Sequence, residues 1–184
     1  MAIKVALIDN MNNNFFAFAR YLRDAGIEAF VFETDDAPDH FHPSNDTYQN
    51  IADIDWILKF PVKTTNTASW LNFNKKIIVN TFKQFDIIVS CGLSCAYLKR
   101  AGINLDIIVP YGSDLYALPF KRIMPGGVIF LIKGFCKYTQ GLYQKKALKD
   151  ARSLCIKANS EFYNKPLERL ELKHIDTPFP MFYN

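Results

Sequence analysis

The sequence lacks any long hydrophobic run, because no apolar stretch approaches the ~18 residues that a membrane-spanning helix needs. Residues 1–9 also lack the basic start and the extended apolar core of a signal peptide. They have instead the apolar pattern of a β-strand. We therefore expect a cytoplasmic protein that folds from its first residues.

Cysteine is scarce, with four residues in 184. Cys91 and Cys95 are separated by three residues, and no Cys or His pair lies near them at zinc-finger spacing. This pattern favours free, buried thiols in a reducing compartment over a metal site.

The composition excludes a disordered chain, since 49% of the residues are hydrophobic and 22% are charged. The length suits one domain with a sizeable core. The net charge of +4 is unevenly distributed, because segment 121–152 holds eight basic residues and one acid, Asp150. The basic residues of this segment are Lys121, Arg122, Lys133, Lys137, Lys145, Lys146, Lys149 and Arg152.

Two short apolar runs, 87–89 and 107–109, organise the chain. Each is rich in β-branched residues and ends in small or turn-forming residues, and a helical segment, 95–101, lies between them. This pattern is typical of parallel strands that are buried on both faces. We expect the loops after both strands to open onto one crevice, where ligands bind in such sheets.

The beginning of the chain reads as a strand at 3–9, a helix at 15–25 and a second strand at 28–33. The predicted fold is therefore α/β, a Rossmann-like three-layer α/β/α sandwich with a mostly parallel sheet. The first turn is Asp-Asn-Met-Asn-Asn-Asn, without the G-x-G-x-x-G pattern that lets the backbone approach a pyrophosphate. This argues against NAD or FAD, and we expect no cofactor in this domain.

The polar segment 34–53 contains five aspartates and two histidines, His40 and His42. Acids adjacent in sequence in a proline-containing loop are usually solvated, and we expect no metal site. The alternative is that His40 and His42 face the crevice and bind a polar ligand by hydrogen bonds.

The remaining elements are a short edge strand or turn at 55–58, helices at 68–82, 130–149 and 161–172, and a strand at 153–157. The helix at 130–149 has two interpretations. In the first, Leu131, Phe135, Tyr138 and Leu142 pack on the sheet while Lys133, Lys137, Gln140 and Gln144 face solvent. In the second, the basic, aromatic helix rests on an anionic membrane surface.

Several segments together resemble the amino-terminal, acceptor-side domain of a bacterial GT-B glycosyltransferase, of the retaining group-1 or family-4-like kind. They are IKVALID (3–9), the turn DNMNNN (9–14), IVSCGLSCAYL (88–98), PYGSDLYALPF (110–120) and the ending ANSEFYNKPLERL…PFPM (158–181). The most specific is PYGSDLYALPF, where the family often shows a strand running into a His-Gly-x-Asp turn. Tyr111 stands in place of that histidine, which puts an acid/base role there in doubt.

The resemblance implies an acceptor-binding domain over residues 1–176 and the start of an interdomain linker over 177–184. The nucleotide-sugar donor binds the second domain in this family, so the present chain is expected to be inactive alone. The acceptor is expected to be a cell-surface polysaccharide precursor or a lipid-linked sugar at the inner face of the membrane. Asp114 is the predicted catalytic residue. The predicted acceptor-binding residues are Asn10, Asn12, Asn13, His40, His42, Gly92, Ser94, Tyr111, Gly112 and Ser113.

Two alternatives stay open at this point. Residues 112–114 also fit a simple turn in which Asp114 caps the next segment. The whole chain also fits a stand-alone binding or regulatory module of flavodoxin-like shape. No nucleic-acid-binding motif accompanies the basic segment, and we expect no nucleic-acid partner. A second Rossmann-like pattern further along the same reading frame would favour the transferase.

Overall fold

A computed structural model describes residues 2–34, 54–64, 66–123, 127–157 and 161–177. These residues form a seven-stranded sheet in which every pairing between neighbours is parallel. The order across the sheet is β3-β2-β1-β4-β5-β6-β7. The strands are β1 (Lys4–Ile8), β2 (Glu28–Glu33), β3 (Ile57–Lys59), β4 (Ile87–Ser90), β5 (Ile107–Ile108), β6 (Ser153–Lys157) and β7 (Ile175–Thr177).

The strand order has a reversal point between β1 and β4. The chain moves outward from β1 through β2 to β3, then returns to β4 on the other side of β1 and moves outward again. At such a point the loops after the two central strands diverge and leave a crevice beyond the carboxyl ends of the strands. The Rossmann-like fold predicted from the sequence is confirmed, and β4 and β5 are adjacent and parallel as expected.

Alternate residues of β1 enter two different cores, which makes the sheet the middle of three layers. Ala6 and Ile8 belong to one buried cluster, while Val5 and Leu7 belong to the other. This alternation follows from the period of two residues in a strand. Both faces of the sheet are therefore covered, as the apolar strands predicted.

The helices divide between these two faces. α1 packs on the Val5 and Leu7 face through Phe15 and Ala19. The helices that follow β3 supply residues to the core on the other face. The helices are α1 (Asn14–Asp24), α2 (Thr67–Leu71), α3 (Lys75–Phe82), α4 (Ser94–Ala101), α5 (Ser113–Tyr116), α6 (Val128–Asp150) and α7 (Glu161–Leu170), and residues 118–120 form a 3₁₀ turn.

The predicted helix at 68–82 is wrong as a single element, because two helices, α2 and α3, occupy the segment. Each begins at an asparagine whose side chain accepts a backbone N–H. Asn66 Oδ1 accepts from Ala68 N at 2.8 Å, and Asn74 Oδ1 accepts from Lys76 N at 3.1 Å. Asparagine is a preferred N-cap residue, so Asn74 starts a new helix where the apolar pattern continued.

The last strand, β7, is a feature that the sequence did not predict. It has three residues and lies at the edge of the sheet. It pairs through Cys155 with Ile175 and through Lys157 with Thr177. A strand of this length shows too little alternation to be recognised from sequence.

The predicted buried face of α6 is also wrong. Leu131, Phe135 and Leu142 are exposed, while Gln140 and Gln144 are buried. Gln144 lies inward because its amide nitrogen has a partner there. Gln144 Nε2 donates to the carbonyl oxygen of Asp114 at 3.1 Å. Specific hydrogen bonds of this kind allow buried amides, and an apolar periodicity cannot reveal them.

Gly141 allows α6 to approach the 3₁₀ turn at 118–120. A Cβ atom at this position would lie 2.5 Å from the carbonyl oxygen of Leu118, which belongs to the backbone. Such an atom cannot move aside without shifting the turn. The absence of a side chain at Gly141 therefore sets the distance between α6 and the loop that leads from the crevice.

We expect Gly141→Ala to lower the free energy of unfolding by roughly 1–3 kcal/mol, since the overlap outweighs the gain of about 1 kcal/mol in helix propensity. Urea denaturation followed by circular dichroism measures the change. Gly127→Ala is the matched control, because a Cβ atom there meets nothing within 4 Å. A Gly141→Ala protein as stable as the wild type would contradict this account of the packing.

Candidate functional site

The loop after β1 is held in an unusual backbone conformation. Asp9, Asn12 and Asn13 have positive φ angles of 71°, 53° and 58°. Non-glycine residues rarely adopt this region, and asparagine and aspartate tolerate it best. Asn10 fastens the loop, because its Oδ1 accepts from Phe16 N at 3.0 Å and its Nδ2 donates to Asn13 Oδ1 at 2.9 Å.

The loop after β4 turns at Gly92, which has a φ angle of 62°. Beneath it lie two hydroxyl groups, since Ser90 Oγ and Ser94 Oγ are 2.8 Å apart. Ser94 Oγ also donates to the carbonyl oxygen of Cys91 at 2.6 Å. Ser94 is completely buried, so it supports the loop from below and does not line its surface.

The loop after β5 is tied to the loop after β4 by the carboxylate of Asp114. This carboxylate accepts from Gly92 N at 3.0 Å, from Tyr111 N at 3.1 Å and from Gly112 N at 2.9 Å. Gly112 has a φ angle of 151°. Asp114 is 3% exposed. Burial raises the pKa of Asp114, while the three backbone N–H groups act in the opposite direction.

Asp9 brings a second carboxylate to the same place. Its Oδ1 accepts from Asn10 N at 2.9 Å and from the Thr34 hydroxyl at 3.4 Å. Burial, with a contribution from the nearby charge of Asp114, raises the pKa of Asp9 from 3.8 to about 6. Gly92 lies between the two carboxylates. Its backbone N–H donates to Asp114, and a Cβ atom at this position would overlap Asp9 Oδ2.

Tyr111 lies at the crevice but packs inward. Its ring contacts Phe15 edge to face, with 6.4 Å between the ring centroids. Burial raises the pKa of the Tyr111 hydroxyl above its usual value near 10. The group therefore stays protonated at physiological pH, and its ring contributes to the core on the α1 face.

The structure brings together at one edge of the sheet every predicted site residue that it describes. Asn12, Asn13, Gly92 and Gly112 are half-buried and Ser113 is exposed, whereas Asn10, Ser94 and Asp114 are buried. His40 and His42 lie outside the described residues, and their predicted roles stay predictions. The residues brought together are Asn10, Asn12, Asn13, Gly92, Ser94, Tyr111, Gly112, Ser113 and Asp114.

Asp9 is the functional candidate that the sequence analysis left out of the site. An aspartate directly after the central strand of the sheet was the available signal. Its tight contact with Gly92 and its raised pKa depend on loops from three strands, which no local pattern reports. Thr34, which follows β2 and donates to Asp9, belongs to the same arrangement.

Within the described ranges, no three His, Cys, Asp or Glu side chains converge as ligands for a metal ion. Over the same residues, no helix combines the length and the apolar content that crossing a bilayer requires. A depression of about 530 Å³ is lined partly by Lys99, Asp106, Asp150 and Arg152. Its charges pair with one another, Lys99 with Asp150 at 2.8 Å and Arg152 with Asp106 at 3.7 Å, which leaves the crevice as the stronger candidate.

We expect Gly92→Ala to destabilise the protein more than Gly26→Ala. Both glycines have left-handed backbones, so each alanine costs roughly 1–2 kcal/mol, but a Cβ atom at Gly26 meets nothing within 4 Å. The overlap with Asp9 should add roughly 1–3 kcal/mol at Gly92 alone. Chemical denaturation of both variants measures the difference, and in an Asp9→Ala background the extra loss at Gly92 should disappear. Equal losses in the wild-type background would refute the contact.

We expect Asp9→Asn to stabilise the folded protein at neutral pH. An acid whose pKa rises from 3.8 to about 6 on folding stabilises the fold fully below pH 3.8, and this contribution is lost as the pH rises through about 6. Asparagine keeps an acceptor for Asn10 N and tolerates the positive φ angle. The gain at pH 7.5 should be about 1–3 kcal/mol and should fade between about pH 6 and pH 4.

Urea titrations across this pH range measure the effect. Asp24→Asn serves as a control on the exposed end of α1, and it should change the unfolding free energy by less than about 0.5 kcal/mol. A pH-independent effect of Asp9→Asn would show that the carboxyl of Asp9 is not perturbed by burial.

No protein-family model matches the chain, and no curated protein matches it. Among solved structures, it is similar to a short-chain dehydrogenase/reductase (wide type) from Veillonella parvula in complex with NADP, with a TM-score of 0.42, 11% identity, and coverage of 85% of this chain and 69% of that one. It is also similar to MurG from Acinetobacter baumannii, with a TM-score of 0.44 and 13% identity. This match covers 85% of the present chain and 41% of MurG. A protein described as an epimerase from Burkholderia cenocepacia gives a TM-score of 0.39, 11% identity, and coverage of 88% and 58%. The chain thus spans less than two thirds of the latter two structures.

Proposed function

We propose that the chain is the acceptor-side domain of a nucleotide-sugar-dependent glycosyltransferase and that the crevice beyond β1, β4 and β5 binds the acceptor. The observation that supports this most is the convergence of two carboxylates and five left-handed backbone positions on the reversal point of the sheet. Strain and buried charge cluster at functional sites because neither benefits the fold itself.

The chemistry at the surface of this crevice suits a sugar. Asn12 is half-buried, and the structure assigns its amide no hydrogen bond within the described part of the chain. Ser113 places an exposed hydroxyl at the start of α5. An amide, a hydroxyl and a carboxylate offer the donors and acceptors that orient neighbouring hydroxyl groups.

The two carboxylates are suited to different tasks. Asp114 accepts three backbone N–H groups, so its contacts favour a positioning role, although its catalytic role stays a prediction. Asp9 has a less buried carboxyl whose pKa of about 6 lies near physiological pH. A base of this strength is suited to receive the proton that an acceptor hydroxyl loses as its oxygen attacks the anomeric carbon of the donor.

Both roles depend on orientation more than on reactivity. Glycosyl transfer between two bound sugars gains most from holding the attacking oxygen close to the anomeric carbon of the donor. The fastened loops of Asn10 and Asp114 provide fixed positions for such groups. The donor would bind outside this domain, and the chain alone would bind acceptor without turnover.

We expect a simple sugar to bind this crevice. In ¹H–¹⁵N spectra, titration with methyl glycosides of common hexoses and N-acetylhexosamines should shift the amides of Asn12, Gly92 and Ser113. Asn12→Gly removes the amide and keeps the left-handed backbone, so affinity should fall roughly fivefold to tenfold, the effect of one hydrogen bond. Asn72→Gly, in an exposed turn after α2, should leave affinity unchanged.

The same experiment distinguishes the transferase from the competing function, a flavodoxin-like binding module. If no glycoside shifts these amides while flavin mononucleotide does, the flavodoxin-like module replaces the transferase. If Asn12→Gly and Asn72→Gly weaken sugar binding equally, the sugar binds elsewhere and the crevice assignment is wrong.

A further inference from the structure

The amino-terminal end of α6 presents a group of apolar side chains to solvent. Phe130 is 72% exposed, Phe135 54%, Ile132 46% and Leu131 44%, and Ile123, which precedes the helix in the chain, is 45% exposed. We call these five side chains the apolar tip. Single exposed apolar residues are ordinary, but several large ones within one short segment mark an interaction surface.

The tip projects because α6 is longer than the sheet it crosses. The helix has 23 residues and is therefore about 35 Å long. The neighbouring strand β6 has five residues and spans roughly 17 Å. Ala147 and Leu148 near the carboxyl end of α6 are buried, so the excess length lies at the amino-terminal end.

The shape of the exposed surface indicates what covers it. Phe130, Leu131 and Ile132 are consecutive, and successive helical residues point about 100° apart, so these three side chains cover an arc of about 200°. A groove in a folded partner buries one stripe of a helix, as residues spaced three and four apart. A fluid apolar phase instead surrounds a tip over the whole arc.

The charge around the tip complements an anionic surface. Lys121 and Arg122 precede α6, while Lys133 and Lys137 lie within its first turns, and all four are exposed. Segment 121–152 contains eight basic residues and a single acid, Asp150, whose carboxylate pairs with Lys99. Apolar and basic groups side by side match the boundary between acyl chains and anionic headgroups.

The topology places the tip at the same edge of the molecule as the crevice. α6 connects the parallel neighbours β5 and β6, so it runs back against the strand direction and begins at their carboxyl ends. The crevice lies beyond the carboxyl ends of β1, β4 and β5. A surface that receives the tip therefore lies on the side of the molecule where the crevice opens.

We infer that the apolar tip and its flanking basic residues form a docking site for an anionic lipid bilayer. The tip enters the headgroup region, and the lysines and arginine bind anionic headgroups. Docking deepens the proposed function and rests on it in one respect: a crevice held at the bilayer surface takes an acceptor that is anchored in the membrane. Bilayer binding itself requires no sugar and is tested separately.

Cosedimentation of the 184-residue chain with phosphatidylcholine vesicles, with and without phosphatidylglycerol, tests the inference. Binding should require phosphatidylglycerol and should weaken at high ionic strength, where the Debye length falls. Phe130→Ser combined with Phe135→Ser should lower the partition coefficient by at least about tenfold. The matched control is Ile3→Ser combined with Ile175→Ser, two residues that are 50% and 52% exposed at the amino end of β1 and of β7, and it should bind as the wild type does.

The contribution of charge to vesicle binding is tested with a second variant and its matched control. Lys133→Glu combined with Lys137→Glu should lower binding by at least about tenfold, because each lysine near an anionic surface contributes roughly fivefold. Lys76→Glu combined with Lys165→Glu produces the same net charge on exposed positions of α3 and α7, and it should retain binding. Circular dichroism of all four proteins shows whether they fold.

Three results would overturn the inference. The first is no binding of the folded wild type to anionic vesicles. The second is equal loss of binding in a tip variant and its matched control. The third is a dimer in light scattering that Phe130→Ser and Phe135→Ser dissociate, since the tip then covers a second copy. Vesicle binding without sugar binding would preserve the docking site and refute the transferase, so the two proposals fail separately.

Discussion

The carboxylate of Asp114 is the constraint on which the rest of the site depends. By accepting N–H groups from Gly92, Tyr111 and Gly112, it joins the exits of β4 and β5 into one unit. The backbone carbonyl of the same residue accepts from Gln144, which connects that unit to α6. A buried carboxylate without such donors would carry a large desolvation penalty. Its position therefore requires the loops to hold their conformations, and the loops require the carboxylate.

Most of the unfavourable contributions to stability lie at the carboxyl edge of the sheet, and among the described non-glycine residues with positive φ angles Glu171 is the exception. Asp9, Asn12 and Asn13 adopt left-handed backbone there, and Asp9 keeps a carboxyl whose ionised form is destabilised by burial. The charges around Lys99 and Asp106, by contrast, are neutralised by partners. An asymmetry of this kind has no explanation in folding, since an asparagine at position 9 would offer the same acceptor to Asn10 N without a buried charge. It is the physical reason for proposing a functional site at this edge.

How much of the structure the sequence predicts depends on how far apart in sequence the interacting residues lie. Strands such as 28–33 and 153–157 follow from local apolar runs, and their parallel pairing follows from the helices between strands. The small residues after β4 and β5 are enough to place the crevice. The break before Asn74 is missed because a cap requires only one side chain. The contacts of Asp9 are missed because its environment is assembled from β1, β2 and β4, which are distant in sequence.

The incorrect assignment of the α6 faces shows why periodicity fails for this helix. Hydrophobic spacing predicts burial only if every apolar residue has a core to enter, and a helix of 23 residues extends beyond the core. Its carboxyl-terminal half packs by close approach at Gly141 and by the amide of Gln144, while its amino-terminal half keeps Phe130 and Phe135 in solvent. The carboxyl-terminal half is thus fastened to the loops that form the crevice, and the exposed side chains of Phe130 and Phe135 are free to contact a surface. Docking at the tip would fix the orientation of the crevice through a single rigid element, without any change in the conformation of the sheet.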